Sequence, residues 1–554
     1  MGSPSPQIDA WFGIRLRDAV AKQLPAILPE QRWFGAKARQ IASVSLADYV
    51  VIRLPQADSF ITLIRVEYSD GGGETYVLPL LKTEQNSASA GVSSCMVRIS
   101  TSNSSSDVLL VDALGDHSFL SVILDSIRGA VSYAGGQGEI NARPAARLQE
   151  IYPSSSASPL PRPLKAEQSN TSIAYEDRLI LKFFRRVEEG VNPDLEINRF
   201  LTEVAHFPNT PPLCGSLEYR GREGKSLALG ILQEFVPNRG DAWKFTTESL
   251  TDFLVRSVVS VGEGIPSAEK VGSISALVGD AAAREPADQL SKQLDFVDLL
   301  GRRTAEFHLA LDSSPSDSAF AREPFTPEVR EALESSLHDL TVRNFDLLRL
   351  QSEQLPQPLR ASASRALELE HDVLLAFHTG LENDIRSVRI RIHGDFHLGQ
   401  VLFTGSDFFI IDFEGEPARP LSERRAKRSP LQDVAGMLRS FHYASRAALL
   451  FARKKHGTSI SLDARPRLLA KRWQTLATRH FLQSYREIAG GAPFLPADSN
   501  EFDGLLRIHL LEKAIYELGY ELNNRPDWLA IPLEGIESLL AKNPLEWETE
   551  TALE

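Results

Sequence analysis

The sequence predicts a mixed α+β protein, with strands concentrated before residue 235 and helices after it. Runs rich in β-branched and aromatic residues at 41–53, 60–68 and 75–82 are separated by Pro, Asp or Gly, which is typical of antiparallel strands. Beyond Phe235, apolar residues recur at helical spacing instead. The length of 554 residues adds an expectation of two to four compact units, at about 150 residues per domain.

Composition and charge exclude several classes of protein. Hydrophobic residues make up 42% and charged residues 24%, which is typical of folded globular proteins and not of disordered or fibrous ones. The net charge of -13 repels phosphate backbones, so we expect no nucleic-acid partner. No window approaches the ~20 apolar residues of a membrane span, and the first residues lack the apolar core of a signal peptide. We therefore expect a cytoplasmic protein without a membrane partner.

The two cysteines give no sign of a disulfide framework or a zinc site. Cys95 and Cys214 lie far apart in the chain and show neither CxxC nor Cys/His spacing. This fits a reducing compartment.

The first part of the chain should contain a helix, a small sheet and a boundary. Apolar spacing predicts a helix from Trp11 to Leu28, ended by Pro29. Residues 83–106 are rich in Ser, Asn, Thr and Ala, which indicates a loop or a weak hairpin and a domain border. From Leu109 to Ile127 a helical period returns. Residues 264–289, rich in Ala, Ser, Gly and Glu, are expected to form an insertion.

Helical spacing recurs through the second half of the chain. The predicted helices are 247–263, 290–311, 327–352, 362–383, 431–452, 465–488 and 502–523.

The strongest chemical signal is RIHGDFHLGQVLF followed by FFIIDFEG. Asp395 and Asp412 each stand beside a β-like apolar run, so we expect both carboxylates at the mouth of one hairpin. With Gln400 they provide the oxygen ligands that Mg²⁺ prefers, and one acid is left to accept a proton. The step from Asp395 to Gln400 matches the catalytic-loop Asp-to-Asn step of protein kinases, and Asp412 stands where their DFG aspartate stands. The pattern predicts phosphoryl transfer.

Structural alternatives exist for the members of this pattern. Asp after Gly and Asp at a strand end are common turn and cap residues. We expect His393 and His397 to organise the loop by hydrogen bonds, and Asp433 to anchor a loop or a helix end. ERRAKRSP, at 423–430, either orders the segment after Asp412 or is a solvated charge run.

A kinase-like loop requires an upstream lysine for the nucleotide phosphates, paired with a glutamate on the next helix. In RLILKFFRRVEEGVNPDLEINRFL, Lys182 follows an apolar strand and Glu196 lies in the first turns of a helix after Pro193. Arg185 and Arg186 stay open as alternative charge donors. An edge-strand role for Lys182 stays open as well.

The sequence also suggests a phosphate loop and an adenine-binding segment. KAEQSNTSIAYED puts small polar residues between two strands, so Ser169, Thr171 and Ser172 are candidates to cover the phosphates. No GxxxxGK[ST] or GxGxxG motif is present. LGILQEFVPNRGDAW is an apolar strand that breaks into a polar link, and adenine would bond its backbone near Glu234 and Val236.

At this point the sequence resembles the aminoglycoside phosphotransferases and, more closely, the bacterial maltokinases. The matching blocks are RWFGAKAR, LGILQEFVP, LGRRTAEFHLAL, HGDFHLGQVL, IDFEGEPARPLSERRAKRSPLQDVAGMLRSF and EKAIYELGYELNNRPDWLAIPL, which span nearly the whole chain. The resemblance implies a bilobal protein-kinase-like fold with ATP between the lobes. We expect an N-terminal cap subdomain at 1–105, an intermediate subdomain at 106–235, and a mostly helical C-lobe at 236–554.

The resemblance also implies an activity: ATP- and Mg²⁺-dependent phosphorylation of maltose at its anomeric hydroxyl. The product, maltose 1-phosphate, would feed α-glucan (glycogen) synthesis linked to trehalose, with a trehalose-converting enzyme as an expected partner. Asp395 would be the base, Gln400 and Asp412 the Mg²⁺ ligands, and Lys182 with Glu196 the phosphate anchor. Gln400 is one methylene longer than the kinase Asn and keeps the carbonyl ligand.

Recognition of a disaccharide requires planar apolar faces and bidentate polar groups, which the predicted helix 512–525 offers. Tyr516 and Tyr520 are four residues apart and share a face, although aromatic core packing explains that spacing equally well. The expected sugar contacts are His397, Glu414, Lys513, Tyr516, Tyr520 and Arg525.

Two rival functions stay open. One is a related small-molecule kinase acting on glucosamine, another sugar or an aminoglycoside. The other is a catalytically silent module that binds nucleotide or glucan. The presence of all four residues expected for phosphoryl transfer argues against it; they are Lys182, Asp395, Gln400 and Asp412.

Overall fold

A computed structural model of the protein describes residues 10–83, 96–99, 107–153, 159–164, 170–259, 284–314, 316–417, 419–456 and 465–541. Cys95, Ser169 and most of the predicted insertion at 264–289 lie outside these residues. The chain divides into two compact units. They are Met1–Thr202 with Pro211–Pro237, and Glu203–Thr210 with Asn238–Glu554.

The first unit is rich in strands. Its elements are α1 (Ala10–Ile27), β1 (Ile41–Arg53), β2 (Asp58–Tyr68), β3 (Gly73–Thr83), β4 (Val97–Ile99), β5 (Val108–Asp112), α2 (His117–Arg128), β6 (Ser132–Ala134), β7 (Gly138–Pro144), α3 (Ala146–Ile151), β8 (Pro161–Pro163), β9 (Asn170–Tyr175), β10 (Leu179–Phe184), β11 (Arg186–Val187), α4 (Pro193–Glu203), β12 (Leu213–Gly221) and β13 (Ser226–Glu234).

Two antiparallel sheets form this unit. The first has the order β1-β2-β3-β5-β4, with β11 also paired to β3. The second has the order β6-β7-β12-β13-β10-β9-β8. Helix α1 packs on one face of the first sheet, and α2 shares a second apolar core with the other face and with the second sheet. The predicted domain border near residue 105 falls between β4 and β5 of the first sheet.

The predicted helix at 109–127 is wrong in its first part. Residues Val108–Asp112 form strand β5, which pairs with β3, and the helix begins only at His117. Asp116 caps that helix by accepting from Phe119 N at 2.8 Å. The apolar run LLV is compatible with both helical and strand periodicity. Its hydrogen bonding to β3 determines that it forms a strand.

Asp48 on β1 links the two sheets of the first unit through hydrogen bonds. Its carboxylate is 4% exposed and accepts from Tyr219 OH at 2.8 Å, Gln137 N at 2.9 Å and Gly136 N at 3.1 Å. A buried carboxylate is tolerated only when hydrogen bonds replace its hydration, and this one has three donors.

The RWFGAKAR block packs inside the first unit. Phe34 is 1% exposed and its ring lies 5.1 Å from that of Tyr76. The guanidinium of Arg185 lies 4.9 Å over the ring of Trp33. Arg39 is ion-paired with Asp70. The block therefore has a packing role in this structure.

The second unit is mainly helical. Its elements are α5 (Ala242–Val259), α6 (Arg284–Leu311), β14 (Glu323–Pro324), α7 (Pro327–Gln351), α8 (Gln357–Glu368), α9 (Glu370–Glu382), β15 (Val388–Arg389), β16 (Val401–Phe403), β17 (Phe408–Ile410), α10 (Leu421–Arg424), α11 (Leu431–His456), α12 (Arg465–Ala489), α13 (Ser499–Asn524) and α14 (Ala530–Leu540).

Most of the predicted helices are confirmed within a few residues, and one is corrected. The predicted helix 362–383 is two helices, α8 and α9, which meet at Leu369. At this point the backbone N–H of Leu369 donates to Ala366 O at 3.0 Å. This three-residue hydrogen bond is of the 3₁₀ type and ends α8. Neither Gly nor Pro marks the break, and apolar spacing alone could not reveal it.

The predicted hairpin is confirmed as β16 and β17, which pair antiparallel from Val401 opposite Ile410 to Phe403 opposite Phe408. Aromatic rings pack behind it, with Phe245 4.1 Å and Phe296 5.0 Å from Phe403. This packing makes the hairpin a rigid support for the residues that flank it.

Within the residues that the structure describes, no helix is both long enough and apolar enough to cross a membrane.

We expect Asp48→Ala to lower the free energy of unfolding by about 3 kcal/mol, because three donors lose a buried acceptor. Asp58→Ala, at an exposed strand start, is the matched control and should stay within about 0.5 kcal/mol of wild type. Urea denaturation followed by tryptophan fluorescence measures both. Equal urea midpoints for the two variants would show that the hydrogen bonds of Asp48 do not stabilise the contact between the sheets.

Candidate active site

The loop from His393 to Gln400 is held by the carboxylate of Asp433 at the start of α11. This carboxylate accepts from His393 N at 2.7 Å and from Gly394 N at 2.9 Å. Its Oδ2 also lies 3.1 Å from His308 Nε2. Asp433 is 1% exposed, so these contacts replace its hydration. The predicted role of Asp433 as a loop anchor is confirmed.

The two histidines of the loop organise its backbone, as predicted. His393 Nε2 lies 3.0 Å from Ile411 O, and its Nδ1 accepts from Asp395 N at 3.4 Å. His397 Nδ1 accepts from Gly399 N at 3.0 Å. These bonds fix the direction in which Asp395 leaves the loop.

Asp395 is paired with a lysine from helix α13. Lys513 Nζ donates to Asp395 Oδ1 and to Glu416 Oε1, both at 3.1 Å. The side chains of Asp395 and Lys513 are 22% and 20% exposed, so the pair lies at the edge of a cleft and is not sealed in the core.

The ion pair continues inward as a chain of alternating charges. Arg419 Nε donates to Glu416 Oε2 at 2.6 Å, and Arg419 Nη2 donates to Glu512 Oε1 at 3.1 Å. His509 Nδ1 lies 3.0 Å from Glu512 Oε2. We call Asp395, Lys513, Glu416, Arg419, Glu512 and His509 the ion network.

The ion network keeps the carboxylates of Asp395 and Glu512 ionised in spite of their burial. Burial raises the pKa of Asp395, but the charge and the hydrogen bond of Lys513, together with His397 and His393, outweigh burial and leave a pKa of about 2. Burial likewise raises the pKa of Glu512, and the hydrogen bond and charge of His509, with Arg419, bring it down to about 2. Burial lowers the pKa of Lys513, and Asp395 and Glu416 together raise it above its usual value.

The predicted metal ligands Gln400 and Asp412 lie together. Gln400 Nε2 donates to Asp412 Oδ2 at 3.1 Å, and Ile411 N donates to Gln400 O at 3.0 Å. They flank β16 and β17, as the sequence predicted. Asp412 has a φ of 67°, which a residue with a side chain adopts at a cost of about 1–3 kcal/mol. Such strain is typical of functional positions.

Glu414, predicted on the sugar side, lies beside Asp412. Their carboxylate oxygens approach within 4.8 Å of each other. Arg424 holds this segment by donating from Nη1 to Glu414 O and from Nε to Arg419 O, both at 3.1 Å. Lys427 is 9% exposed and donates to Ser318 O at 2.8 Å. The basic segment 423–430 therefore orders its surroundings and is not a solvated charge run.

The aromatic residues of α13 are divided between the cleft and the surface. Tyr516 lines the cleft, with its ring 4.8 Å from Lys513 Nζ, and burial raises its pKa to about 12. Tyr520 is 44% exposed, and the guanidinium of Arg525 lies 5.2 Å over its ring. Arg525 is also bound to Glu521. Tyr516 is thus the predicted aromatic residue that lies closest to Lys513.

In the first unit, Lys182 is buried on β10 and donates to Asp194 Oδ2 at 2.9 Å. We expected Glu196 as its partner. Asp194 is 1% exposed and follows the helix start at Pro193 directly, whereas Glu196 is half-buried one half-turn later. The first turn of α4 carries both acids, and the pairing of Lys182 with Glu196 stays a prediction beside the observed bond to Asp194.

The alternative cations are engaged elsewhere in the first unit. Arg185 is ion-paired with Asp112 at 2.5 Å and donates to Thr171 Oγ1 at 2.9 Å. Arg186 is paired with Glu74 at 3.0 Å. This leaves Lys182 as the better candidate for a phosphate contact.

Three of the other predicted nucleotide residues, Thr171, Ser172 and Glu234, lie in strands. Ser172 is 2% exposed on β9, where its backbone pairs with Lys182 on β10. Glu234 ends β13, its N–H already donates to Pro212 O at 2.9 Å, and its carboxylate is bound by Arg147. An adenine contact at Glu234 would therefore use another backbone atom, and Val236 follows two residues later.

Sequence reasoning missed Asp194, Glu416, Arg419, Glu512 and His509. Glu416 and Arg419 lie in EGEPAR directly after the Asp412 motif, and the three-residue spacing of their acid and base was a readable signal. Glu512 and His509 show the same spacing on α13. None of these spacings indicates that the two segments meet.

The low pKa values of Asp395 and Glu512 predict acid destabilisation. Both pKa values, about 2, lie below the ordinary 3.8 and 4.5, so these groups stabilise the fold above the ordinary values. That stability is lost as the pH falls through the window from about 4.5 to 2. We expect urea midpoints to fall between pH 5 and pH 3, and to fall less steeply in Asp395→Asn than in wild type. If the urea midpoint falls with pH equally steeply in Asp395→Asn and in wild type, Asp395 does not contribute this pH dependence. The control is Asp346→Asn, at an exposed aspartate, which should match wild type.

Comparison with known proteins finds one domain model and several relatives that are similar to this chain. The model of the maltokinase N-terminal cap domain matches residues 28–116. A glucosamine kinase of Mycolicibacterium smegmatis is 23% identical over 385 residues, which are 68% of this chain and 79% of that protein. A glucosamine kinase of Streptacidiphilus jiangxiensis is 29% identical over 151 residues, and there the chain spans only 32% of the relative.

Solved structures establish the fold. A glucosamine kinase in complex with glucosamine, ADP and inorganic phosphate superposes with a TM-score of 0.57 at 18% identity, covering 95% of this chain and 99% of that one. Another crystal form of glucosamine kinase reaches a TM-score of 0.59 at 17% identity with the same coverage. The predicted α+β fold with an N-terminal cap and a helical C-terminal part is confirmed. The chain therefore has the fold of these glucosamine kinases, and its residues 28–116 match the maltokinase cap-domain model.

Proposed function

We propose that the protein transfers the γ-phosphoryl group of ATP to the anomeric hydroxyl of maltose, giving maltose 1-phosphate. The observation that carries this proposal is an ionised carboxylate at the edge of a cleft, Asp395, on a loop that also leads to the Gln400–Asp412 pair. Proton acceptance and phosphate neutralisation are the two tasks of phosphoryl transfer.

Asp395 is suited to receive the hydroxyl proton. Lys513 holds its Oδ1, while Oδ2 lies 3.9 Å from His397 Nε2. Oδ2 is therefore the oxygen that an acceptor hydroxyl would approach. With a pKa of about 2 the carboxylate is a weak base, but an anomeric hydroxyl is more acidic than an ordinary alcohol. Positioning then supplies most of the rate.

Oxygen ligands for Mg²⁺ are present in the second unit. The carboxylates of Asp412 and Glu414 and the amide of Gln400 form a hard-oxygen set of the kind that Mg²⁺ prefers. The hydrogen bond from Gln400 Nε2 to Asp412 fixes the amide and leaves its oxygen as the potential ligand. Bound Mg²⁺ would neutralise charge on the transferred phosphate. The nucleotide side of the proposal rests on Lys182, Asp194 and Glu196.

Maltose as the acceptor is supported by the cap-domain match at residues 28–116. Glucosamine is a second candidate, since the two relatives described above are glucosamine kinases. The cleft favours it in one respect: its lining has four acids, Asp395, Glu416, Asp433 and Glu512, against two bases, Arg419 and Lys513. A role in α-glucan synthesis and a trehalose-converting partner remain predictions from the family resemblance.

The proposal is tested by measuring ADP release with ATP and Mg²⁺ against maltose, glucose, glucosamine, trehalose and kanamycin. Turnover on maltose alone supports the proposal. Turnover confined to glucosamine or kanamycin moves the assignment to an amine-bearing acceptor. Absence of turnover with all five, while ADP still binds, would favour the silent module.

We expect Asp395→Asn to lower kcat about 10²- to 10⁴-fold, because the amide stays polar but accepts no proton. Nucleotide affinity should change little, since Asp395 is assigned to the acceptor hydroxyl. Steady-state kinetics and ADP calorimetry provide the two readouts, with Asp346→Asn as the control. Wild-type turnover from Asp395→Asn would refute its role as base.

We expect Lys182→Met to raise the KM for ATP about tenfold or more, because a buried cation no longer meets the phosphates. Lys225→Met, on the β12–β13 turn, should leave the KM unchanged. Comparing Asp194→Asn with Glu196→Gln identifies the acid that orients Lys182: the structure predicts the larger effect for Asp194. A larger effect for Glu196→Gln would assign that role to Glu196.

A further inference from the structure

The second unit contains a groove that is separate from the cleft at Asp395. It lies between α11, α12 and α14, and it shares no lining residue with that cleft. Its cavity volume of ≈ 570 Å³ falls within the range of about 300–1,000 Å³ that small-molecule sites usually have. None of the residues assigned to phosphoryl transfer lines it. We call this recess the α12 groove.

One side of the α12 groove is rich in hydrogen-bond donors. Lys471, Gln474, Thr475 and Thr478 are spaced three or four residues apart on α12, so they share one face of that helix. His442 from α11 lines the same groove. Ammonium, amide, hydroxyl and imidazole groups can all donate to oxygen atoms of a ligand.

The ring of His442 offers a donor to the α12 groove. Its Nδ1 lies 2.8 Å from Arg439 Nη1, and because a guanidinium can only donate, Nδ1 accepts and the ring hydrogen is on Nε2. Burial lowers the pKa of His442 well below its usual value, and the charges of Arg439 and Arg446 lower it further, so the ring is neutral. Glu534 Oε2 lies 4.0 Å from Nε2, which is beyond hydrogen-bond distance.

Two of these donors belong to side chains that are more than nine-tenths buried. His442 is 6% exposed and Thr478 is 8% exposed. Within the described part of the chain, neither His442 Nε2 nor Thr478 Oγ1 has a hydrogen-bond partner, and neither atom is fully enclosed by protein. Buried polar groups usually have a partner, so these two obtain one from water or from a ligand in the groove.

The charges of the lining leave the ammonium of Lys471 without a counterion. Arg446 is ion-paired with Glu534, and Glu537 is ion-paired with Arg365 at 3.0 Å. Lys471 is exposed and has no ion pair among the residues that the structure describes. An anionic group that enters the groove beside α12 is therefore attracted to Lys471.

A phosphate group matches the donors on α11 and α12. Its three terminal oxygens are strong acceptors, and its negative charge complements the free ammonium. The side of the groove formed by α14 differs, because it contributes the carboxylates of Glu534 and Glu537 and the hydroxyl of Ser538. These groups accept hydrogen bonds from hydroxyl groups. A ligand with a phosphate at one end and hydroxyl groups at the other satisfies both sides.

We propose that the α12 groove binds a sugar phosphate, with its phosphate on Lys471, His442 and Thr478 and its hydroxyl groups on the α14 side. This is a second ligand site, outside the groups assigned to phosphoryl transfer. It does not depend on which acceptor the protein phosphorylates.

Calorimetry on the full chain without ATP tests the site, with glucose 6-phosphate, glucose, inorganic phosphate and glucuronate as probes. We expect glucose 6-phosphate to bind. Glucose and inorganic phosphate should each bind at least about tenfold more weakly, because each lacks the contacts of one side of the groove. Glucuronate should also bind more weakly, since a carboxylate has only two oxygens for the donors of α11 and α12.

Matched variants locate the binding of glucose 6-phosphate. Lys471→Met and Thr478→Val each remove one phosphate contact and should raise its Kd about tenfold. Lys225→Met, at an exposed lysine of the first unit, should match wild type. Asp395→Asn should match wild type as well, because the cleft and the α12 groove have no residue in common. If Thr478→Val does not fold, the exposed position of Lys471 still allows the comparison.

Three results would overturn the proposal. They are no binding of glucose 6-phosphate, equally tight binding of glucose or glucuronate, and an unchanged Kd in both Lys471→Met and Thr478→Val. A Kd that rises only in Asp395→Asn would place the ligand in the cleft and would overturn the proposal too. The kinase function is judged separately by turnover with ATP, so failure of the groove leaves it intact.

Discussion

The site depends on the ammonium group of Lys513, which donates one hydrogen bond to Asp395 and another to Glu416. It joins three segments that are distant in the chain: the loop with Asp395, the segment after Asp412, and helix α13. Removing a partner from a largely buried ion pair leaves its charge uncompensated, and this usually costs more than the pair contributes. Arg419 and Glu512 extend the same pairing inward. The geometry of the cleft therefore follows from the alternation of charge along the ion network.

The loop that carries Asp395 and the Gln400–Asp412 pair are held in place by different parts of the second unit. Asp433 fixes the loop backbone through two N–H groups, while the β16–β17 hairpin and its aromatic packing hold Gln400 and Asp412. Gly436, one turn after Asp433, brings α11 so close to the loop that a Cβ there would lie 2.5 Å from Phe396 O. The strain at Asp412 is sustained by this rigid frame. A site built in this way is preorganised before any ligand arrives.

The sequence predicted what depends on local spacing and missed what depends on distant contacts. The hairpin, its flanking Asp395 and Asp412, and most helices of the second unit follow from apolar periodicity and turn residues. The strand at Val108–Asp112 did not, because its pairing with β3 decided its conformation. Nor did the bond from Lys182 to Asp194, because the sequence reasoning considered only Glu196 in the helical turn that carries both acids. The ion network joins three segments whose approach no local pattern encodes.

The same network bears on the choice between a neutral and a cationic acceptor. Counting charges alone, the acidic lining would attract the ammonium group of glucosamine. However, Asp433 is satisfied by backbone N–H groups, and Asp395 and Glu416 already share the ammonium of Lys513. A second ammonium about 4 Å from Lys513 would be repelled by roughly 4 kcal/mol at an effective dielectric constant of 20. A neutral hydroxyl approaching Asp395 Oδ2 meets no such penalty and leaves Lys513 in place. Within the function proposed above, this repulsion is an argument for a neutral acceptor over a cationic one as long as Lys513 keeps its position.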